Sequence, residues 1–242
     1  MIPGFGVVIA RRVWDLAATD ELLASRTVKD LVPGSGIAFA DRGVHTLREH
    51  VRDDRSAACL LLTLAGLRRS EVLGLRWSDV DFDSGKITIA QGRVVVAGRG
   101  TVTGGPKSRR SGRALPMPSD VIAALRAFKA CQAEERLALG RGWADTGLVA
   151  VNIDGSPIRP ETYSKAFAAH CAAAGVPVIR LHDVRHTAAT MLLDGGTTPS
   201  ATAKWLGHDP AITLRVYGHV YDDALASAGD ALLGRSRAKG DG

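Results

Sequence analysis

The sequence contains few aromatic residues and few cysteines. Aromatic side chains make up only 5% of its 242 residues, so the core must be aliphatic, and a hydrophobic content of 45% is enough to form one. Cys59, Cys131 and Cys171 are odd in number, far apart and in no CxxC pair, which argues against a disulfide framework or a zinc knuckle. Reduced, buried thiols in a cytoplasmic protein are the simplest interpretation.

Long hydrophobic runs are lacking as well. The longest apolar stretch, residues 57–67, is too short to cross a bilayer and includes Thr63. The N-terminus has no basic segment before its apolar residues, so no signal peptide is expected. The sequence has no internal repeat, and its length suits one large domain, alone or with a small appendage.

Positive charge is in excess. Lys and Arg number 31 and Asp and Glu 25, giving a formal net charge of +6, and the isoelectric point is about 9.5. This balance favours a polyanionic partner, either nucleic acid or an anionic membrane. The alternative is a soluble protein that happens to be basic.

Residue periodicity predicts a mainly α fold with a small antiparallel β-sheet. Helices are predicted at residues 14–32, 57–67, 70–75, 119–139, 160–174, 181–193, 200–206, 211–217 and 222–233, with Thr46, Ser56 and Ser70 as candidate caps. Residues 57–67 are apolar nearly all round, which indicates a central buried helix. Strands are predicted at 86–89, 93–96 and 113–116, with a glycine-rich loop at 98–105 and a linker at 33–36.

His182 and Arg185 are three residues apart and share one face of a predicted helix. An arginine beside a histidine near a helix start can bind a phosphate, because a guanidinium contacts two oxygens at once. One alternative is a surface ion pair of Arg185 with Asp183 or Asp194. Another is a zinc helix, with His182 and His186 at i and i+4, but Asp183 is shorter than the required Glu and Arg185 would place a cation beside the metal.

A second segment places a histidine before a tyrosine. Gly207 is predicted to end a helix in the left-handed conformation, so that the His208 ring can point into a cleft. Tyr217 follows His208 by nine residues. A tyrosine is usually a core or surface residue, and with a phenol pKa of about 10 it becomes a nucleophile only when its neighbours take its proton.

Two further basic residues are candidates for a site. Arg68 lies in a predicted tight turn, and Glu71, three residues on, can orient its guanidinium. The alternative is an ordinary arginine beside a helix-capping box that contains Ser70. Lys107 follows the glycine-rich loop and is either part of a solvated basic turn or a lysine delivered by a mobile loop.

Together these segments resemble the tyrosine recombinases, and the phage integrases in particular. Residues 66–71 and 75–81 resemble the first arginine box, Lys107 the hairpin lysine, 181–187 the His-x-x-Arg box, 206–208 the Leu-Gly-His motif and 217–220 the tyrosine box. The separations of 26 residues between His182 and His208, and nine between His208 and Tyr217, also match the family pattern. Each box is weak alone, but five in this order are specific, and they cover about residues 46–233.

The resemblance implies site-specific DNA recombination or integration through a 3′-phosphotyrosine formed on Tyr217. Tyr163 and Tyr221 are the other tyrosines, and Tyr221 is the stronger rival. By the same resemblance, Arg68 and Arg185 would hold the non-bridging phosphate oxygens, and His208 would donate a hydrogen bond to one of them. His182 would either accept the Tyr217 proton or donate to the phosphate, and Lys107 would protonate the 5′-oxygen leaving group. The implied partner is double-stranded DNA bound by a homotetramer, with accessory DNA-bending proteins and no membrane. No metal or cofactor is required.

The predicted domains are a catalytic domain at 43–234, a polar tail at 235–242, and a segment at 1–42 that would be the remnant of an N-terminal helical DNA-clamping domain plus a linker. Family members usually carry that clamp complete. The alternative function is therefore a truncated integrase that acts only as a DNA-binding module, without autonomous recombination.

Overall fold

Helices dominate the computed structural model, which describes residues 41–96, 100–104, 112–209 and 211. The helices are α1 (Asp41–Val51), α2 (Ala57–Leu64), α3 (Arg69–Gly74), α4 (Ser119–Leu139), α5 (Pro160–Ala173), α6 (Leu181–Asp194) and α7 (Pro199–Leu206). The strands are β1 (Val80–Asp81), β2 (Lys86–Ile89), β3 (Gly92–Val96), β4 (Gly100–Gly104) and β5 (Arg113–Pro116). The predicted linker at 33–36, the helices at 14–32 and 222–233, and all but one residue of the helix at 211–217 lie outside the described residues.

The predicted class, mainly α with a small antiparallel sheet, is confirmed, but the strands form two sheets. One has the order β1-β2-β5 and the other is the hairpin β3-β4. The prediction of a loop over 98–105 was wrong at β4, where Val102 pairs with Val94. The flanking glycines suggested a loop, but β-branched residues at 101–103 favour a strand once a partner strand lies alongside.

Helix α2 is buried on nearly all sides, as predicted, and joins two parts of the core. Leu62 packs in a cluster with Ile87 of β2 and Leu125 of α4. Leu60 packs in a second cluster with Leu47 of α1 and with residues of α5 and α6. Because α2 is fixed from both sides, the turn that follows it is held firmly in place.

The predicted ends of several elements were wrong. Helix α2 ends at Leu64 rather than at residue 67, because Gly66 takes a φ of 88°. Thr46 and Ser70 lie inside α1 and α3 and are not caps. Ser56 does precede α2, but its hydroxyl bonds to Asp54 at 2.5 Å and does not cap the helix.

Cys59 and Cys171 are buried free thiols, as predicted, and Cys131 is half-buried. Burial raises the pKa of Cys59 and of Cys171 to about 12. Both thiols are therefore protonated at neutral pH. None of the described helices is both long and apolar enough to cross a bilayer.

Candidate active site

Four of the six predicted site residues lie in the described part of the chain: Arg68, His182, Arg185 and His208. Lys107 and Tyr217 lie outside it. The structure brings Arg68, Arg185 and His208 together at the C-terminal end of α7. This grouping joins residues from three separate parts of the chain.

Arg68 stands between α2 and α3 in a turn that requires glycine. A Cβ on Gly66 would lie 2.9 Å from Leu206 Cδ2 and 3.0 Å from Ala188 Cβ, so the turn packs directly against α6 and α7. The Arg68 side chain is 37% exposed and donates to Glu71 Oε1 at 2.7 Å. Its Nη2 donates to the Gly207 carbonyl at 3.0 Å. Arg68 thus reaches solvent with a fixed guanidinium.

Arg185 of α6 is buried, with 7% of its surface exposed. Its Nη1 donates to the Gly66 carbonyl at 2.8 Å, and its Nη2 donates to the Leu206 carbonyl. Asp183 forms its ion pair with Arg180 instead, at 3.0 Å. The alternative of a surface ion pair for Arg185 is therefore wrong.

The turn that follows the C-terminal end of α7 contains His208. The Thr198 hydroxyl caps the start of α7, and Gly207 ends it with φ 67° and ψ 49°, the left-handed conformation that the sequence predicts. His208 is half-buried, and its Nδ1 lies 3.2 Å from the Asp209 carbonyl oxygen. Burial and, after it, the charges of the neighbouring arginines lower the pKa of His208 below 6.5, so the imidazole is mostly neutral at pH 7.

Glu71 and Arg113 form a buried pair behind Arg68. Their side chains are 6% and 5% exposed, and Arg113 Nη1 and Nη2 lie 3.0 and 3.1 Å from the two carboxylate oxygens. Burial alone would raise the pKa of Glu71, but the bonds and charges of Arg113 and Arg68 outweigh burial and hold it below 4.5. Glu71 therefore serves as the common anion of two arginines.

The sequence predictions missed Arg113. A usable signal was present, because β5 alternates and Leu115 is an obvious core residue. Side chains two apart share a face of a strand, so Arg113 had to point inward with Leu115. A buried arginine needs a carboxylate or carbonyl partner, which would have directed attention to Glu71.

His182 lies in the first turn of α6 with an exposed ring. The ring packs edge-on against His186, with 4.6 Å between centroids. Burial, and then His182, lowers the pKa of His186. Within residues 41–96, 100–104, 112–209 and 211, no three His, Cys, Asp or Glu side chains are grouped to hold a metal ion, so the zinc-helix alternative has no third ligand there.

The site is positively charged and preorganised. Arg68, Arg113 and Arg185 carry three positive charges and Glu71 one negative charge, so these four described side chains together carry a net charge of +2. The arginines donate to carbonyls at the C-terminal end of α7. The last carbonyls of a helix have no hydrogen-bond donors within the helix itself, so they are free to accept from other groups. Guanidinium groups fixed in this way need little rearrangement to bind an anion such as a phosphate.

The model of the phage integrase family matches residues 39–224, and the chain belongs to this family. The resemblance that the sequence predicts is therefore confirmed. The tyrosine recombinase XerC-like protein of Caldanaerobacter subterraneus subsp. tengcongensis is 30% identical over 207 residues, covering 80% of this chain and 53% of that protein. The ICEBs1 integrase of Bacillus subtilis is 30% identical over 171 residues, 70% of this chain and 46% of that protein. The chain thus spans about half the length of these relatives.

Solved structures share the fold. The Tn1549 transposon integrase in complex with circular intermediate DNA has a TM-score of 0.67 at 20% identity, covering 89% of this chain and 76% of that one. XerA recombinase has a TM-score of 0.59 at 23% identity, covering 86% and 68%. The arrangement of helices and small sheets is therefore the one found in these recombinases.

Proposed function

We propose that this chain cleaves and rejoins double-stranded DNA in site-specific recombination or integration, with Tyr217 as the nucleophile. The observation that carries the proposal is the convergence of Arg68 and Arg185 on the Leu206 and Gly207 carbonyls, beside His208. Membership of the phage integrase family supports the same reaction.

In this proposal Arg68 and Arg185 neutralise the reacting phosphate. A phosphodiester is already an anion, and attack on it adds negative charge in the transition state. Fixed guanidinium groups stabilise that charge, since little reorganisation is needed when it develops. About a third of the Arg68 side chain is exposed to solvent. Arg185 is buried, so its charge acts from a region of lower dielectric constant.

His208 binds a non-bridging oxygen after gaining a proton. The Asp209 carbonyl only accepts hydrogen bonds, so the contact at 3.2 Å assigns the proton of the neutral ring to Nδ1. Nε2 then has no proton to donate until the ring is charged. A phosphate beside the ring raises the pKa of His208, and this favours the charged form that donates.

The remaining steps use His182, Lys107 and Tyr217. The Tyr217 oxygen attacks phosphorus and loses its proton to His182, while the bond from phosphorus to the 5′-oxygen breaks. Lys107 protonates that 5′-oxygen. The resulting 3′-phosphotyrosine keeps the bond energy, so a 5′-hydroxyl of another strand reverses the step without ATP. The arginines supply the positive charge, and the proposal includes no metal or cofactor.

The proposed partner is double-stranded DNA, bound by a homotetramer with accessory DNA-bending proteins. The solved Tn1549 integrase was captured with DNA, which supports this partner. The proposed location is the cytoplasm, and the buried free thiols of Cys59 and Cys171 are consistent with it. The catalytic domain is proposed to span residues 43–234.

The test is covalent adduct formation on a nicked suicide DNA substrate, with the modified residue mapped by mass spectrometry. Tyr217→Phe is expected to abolish the adduct while DNA binding stays nearly unchanged, because one hydroxyl is lost. Arg68→Ala or Arg185→Ala should slow adduct formation by at least about a hundredfold, the scale for removing one preorganised donor.

Tyr221→Phe is the matched control and should still form the adduct. An adduct that persists in Tyr217→Phe and disappears in Tyr221→Phe would assign the nucleophile to Tyr221. DNA binding by the unsubstituted chain without any adduct would favour the alternative of a DNA-binding module.

A further inference from the structure

Within the described part of the chain, Arg113 is held by α3 and α7, two elements other than its own. From β5 it contacts both Glu71 carboxylate oxygens in α3, and its Nε donates to the Trp205 carbonyl in α7 at 2.6 Å. We propose that Arg113 is a positioning residue, whose guanidinium fixes Arg68 and the His208 turn relative to each other. The inference rests on the proposed function, because the site it positions is the proposed phosphate site.

The contact set of Arg113 requires a guanidinium. Its Nε, Nη1 and Nη2 each bond to a partner, and the side chain is only 5% exposed. A buried cation is stable only when it is paired in good geometry. A lysine would keep the charge but could not bind both carboxylate oxygens and a carbonyl in one plane. The position of Arg113 is therefore determined by α3 and α7 together.

The path from Arg113 to Arg68 passes through Glu71. One oxygen, Glu71 Oε1, accepts from Arg113 at 3.0 Å and from Arg68 at 2.7 Å. The other, Oε2, accepts from Arg113 and also from the Arg68 backbone N–H at 2.9 Å. A change in the place of Arg113 would move the carboxylate, and with it both the main chain and the guanidinium of Arg68.

The path from Arg113 to His208 is steric as well as polar. A Cβ on Gly207 would lie 2.5 Å from Arg113 Nη1, so the backbone of the turn rests against the guanidinium. His208 is the next residue, and the Arg113 charge also helps to lower the pKa of its ring. Arg113 is also the first residue of β5, which begins six residues after Lys107 in the sequence. Its bonds therefore connect β5 to the part of the site that holds Arg68.

Arg55 provides a matched control. Its side chain is 8% exposed, its Nε and Nη2 bind the Glu135 carboxylate at 2.5 and 2.8 Å, and its Nη1 donates to the Val151 carbonyl at 2.9 Å. Arg55 therefore resembles Arg113, because each guanidinium bonds both oxygens of one carboxylate and one carbonyl oxygen. Its partners lie in α4 and the segment before α5, which contribute no residue to the site.

The experiment compares Arg113→Lys and Arg113→Gln with Arg55→Lys and Arg55→Gln in the full chain. We expect both Arg113 variants to slow single-turnover adduct formation at saturating DNA by about ten- to a hundredfold, the scale for small misplacements of catalytic groups. The dissociation constant for DNA should change by less than about threefold, because the loss lies in the reacting geometry. The Arg55 variants should lower the melting temperature and leave the rate unchanged.

A second measurement without DNA is independent of activity. We expect NMR titration to show a raised pKa for the His208 ring in Arg113→Lys as well as in Arg113→Gln, because a turn that is no longer held in place loses the burial that lowers this pKa. The lysine variant keeps the positive charge, so its shift reports the position of the turn and not the loss of a charge. The Arg55 variants should leave this pKa unchanged. If the unsubstituted chain forms no adduct, the proposed function fails, and the titration still decides the inference.

Three results would overturn the positioning role: a His208 pKa that is the same in Arg113→Lys and the unsubstituted chain, a full cleavage rate in Arg113→Lys, or an equal loss of rate in the Arg55 variants. The second would show that charge alone is sufficient, and the third that only stability matters. If Arg113→Gln does not fold, the lysine variant decides.

Discussion

At the scale of single residues, the site depends on one carboxylate. Glu71 is 6% exposed, and it accepts bonds from Arg68 and Arg113. Burial of an anion is unfavourable, but two guanidinium partners reverse the balance and keep Glu71 ionised. The ionised state of this one side chain therefore holds two arginines in place.

Glu71→Gln is expected to lower the free energy of unfolding at pH 7 by about 1–3 kcal/mol, the scale for hydrogen bonds to charged groups. The folded pKa of Glu71 lies below the ordinary value of 4.5, so its stabilisation is complete above that pH and is lost as the pH falls through the folded pKa. The difference in the free energy of unfolding between Glu71→Gln and the unsubstituted chain should thus be constant near neutral pH and become smaller in acid. Urea unfolding over a pH series measures it.

The control for Glu71 is Glu49→Gln, which removes an exposed pair with Arg52. Exposed pairs contribute little, so this change should alter stability by less than about 1 kcal/mol. A Glu71→Gln protein whose stability matches the unsubstituted chain at pH 7 would contradict the role given to Glu71.

At the scale of elements, the end of α7 organises the site. The Trp205, Leu206 and Gly207 carbonyls accept bonds from Arg113, Arg185 and Arg68, which lie on β5, on α6 and before α3. The left-handed Gly207 allows the chain to turn while these carbonyls stay directed at the arginines. A short helix end thereby joins three elements.

Gly207→Ala is expected to destabilise the protein more than Gly147→Ala. Both glycines have φ 67°, so each alanine incurs the left-handed penalty of about 1–2 kcal/mol. A Cβ at Gly147 meets nothing within 4 Å, whereas one at Gly207 would lie 2.5 Å from Arg113 Nη1. We expect the Gly207 variant to lose at least about 1 kcal/mol more, the scale of overpacking. Equal losses in thermal unfolding would argue against the close contact with Arg113.

At the scale of the whole molecule, the two larger core clusters and an excess of positive charge characterise the protein. Helix α2 contributes to both clusters, so the turn bearing Arg68 is anchored from two directions. The net charge of +6 belongs to the entire sequence and favours association with a polyanion such as the proposed DNA partner. Binding to DNA should therefore contain a large contribution from phosphate contacts.

DNA affinity is expected to fall steeply with salt, with a slope in the log–log plot of about 0.9 per neutralised phosphate. Arg68→Gln should reduce the magnitude of that slope by about one. Arg136→Gln is the control, because Arg136 lies on α4, which contributes no residue to the site, and pairs with Asp145. Fluorescence anisotropy at several salt concentrations measures the slopes, and equal slopes for Arg68→Gln and the unsubstituted chain would exclude a phosphate contact by Arg68.

The sequence by itself determined the family, the class of fold and most elements. Helices α4, α5, α6 and α7 begin and end within one residue of their predicted bounds, because periodicity and capping are local properties. The pairing of Arg68 with Glu71 and the left-handed Gly207 were predictable for the same reason, since each depends on residues in the same turn. The catalytic roles of all six predicted site residues, including Lys107 and Tyr217, and the domain bounds stay predictions.

Only the tertiary structure decided which distant residues meet. Arg68 bonds to Gly207, 139 positions away, and Arg113 bonds to Glu71, 42 positions away. The alternation of β5 places Arg113 on the buried face with Leu115, but nothing local to β5 identifies the partners of its guanidinium. Its partners become available only when α3 and α7 pack beside that strand, because a buried guanidinium is stable only where carboxylate and carbonyl oxygens already converge.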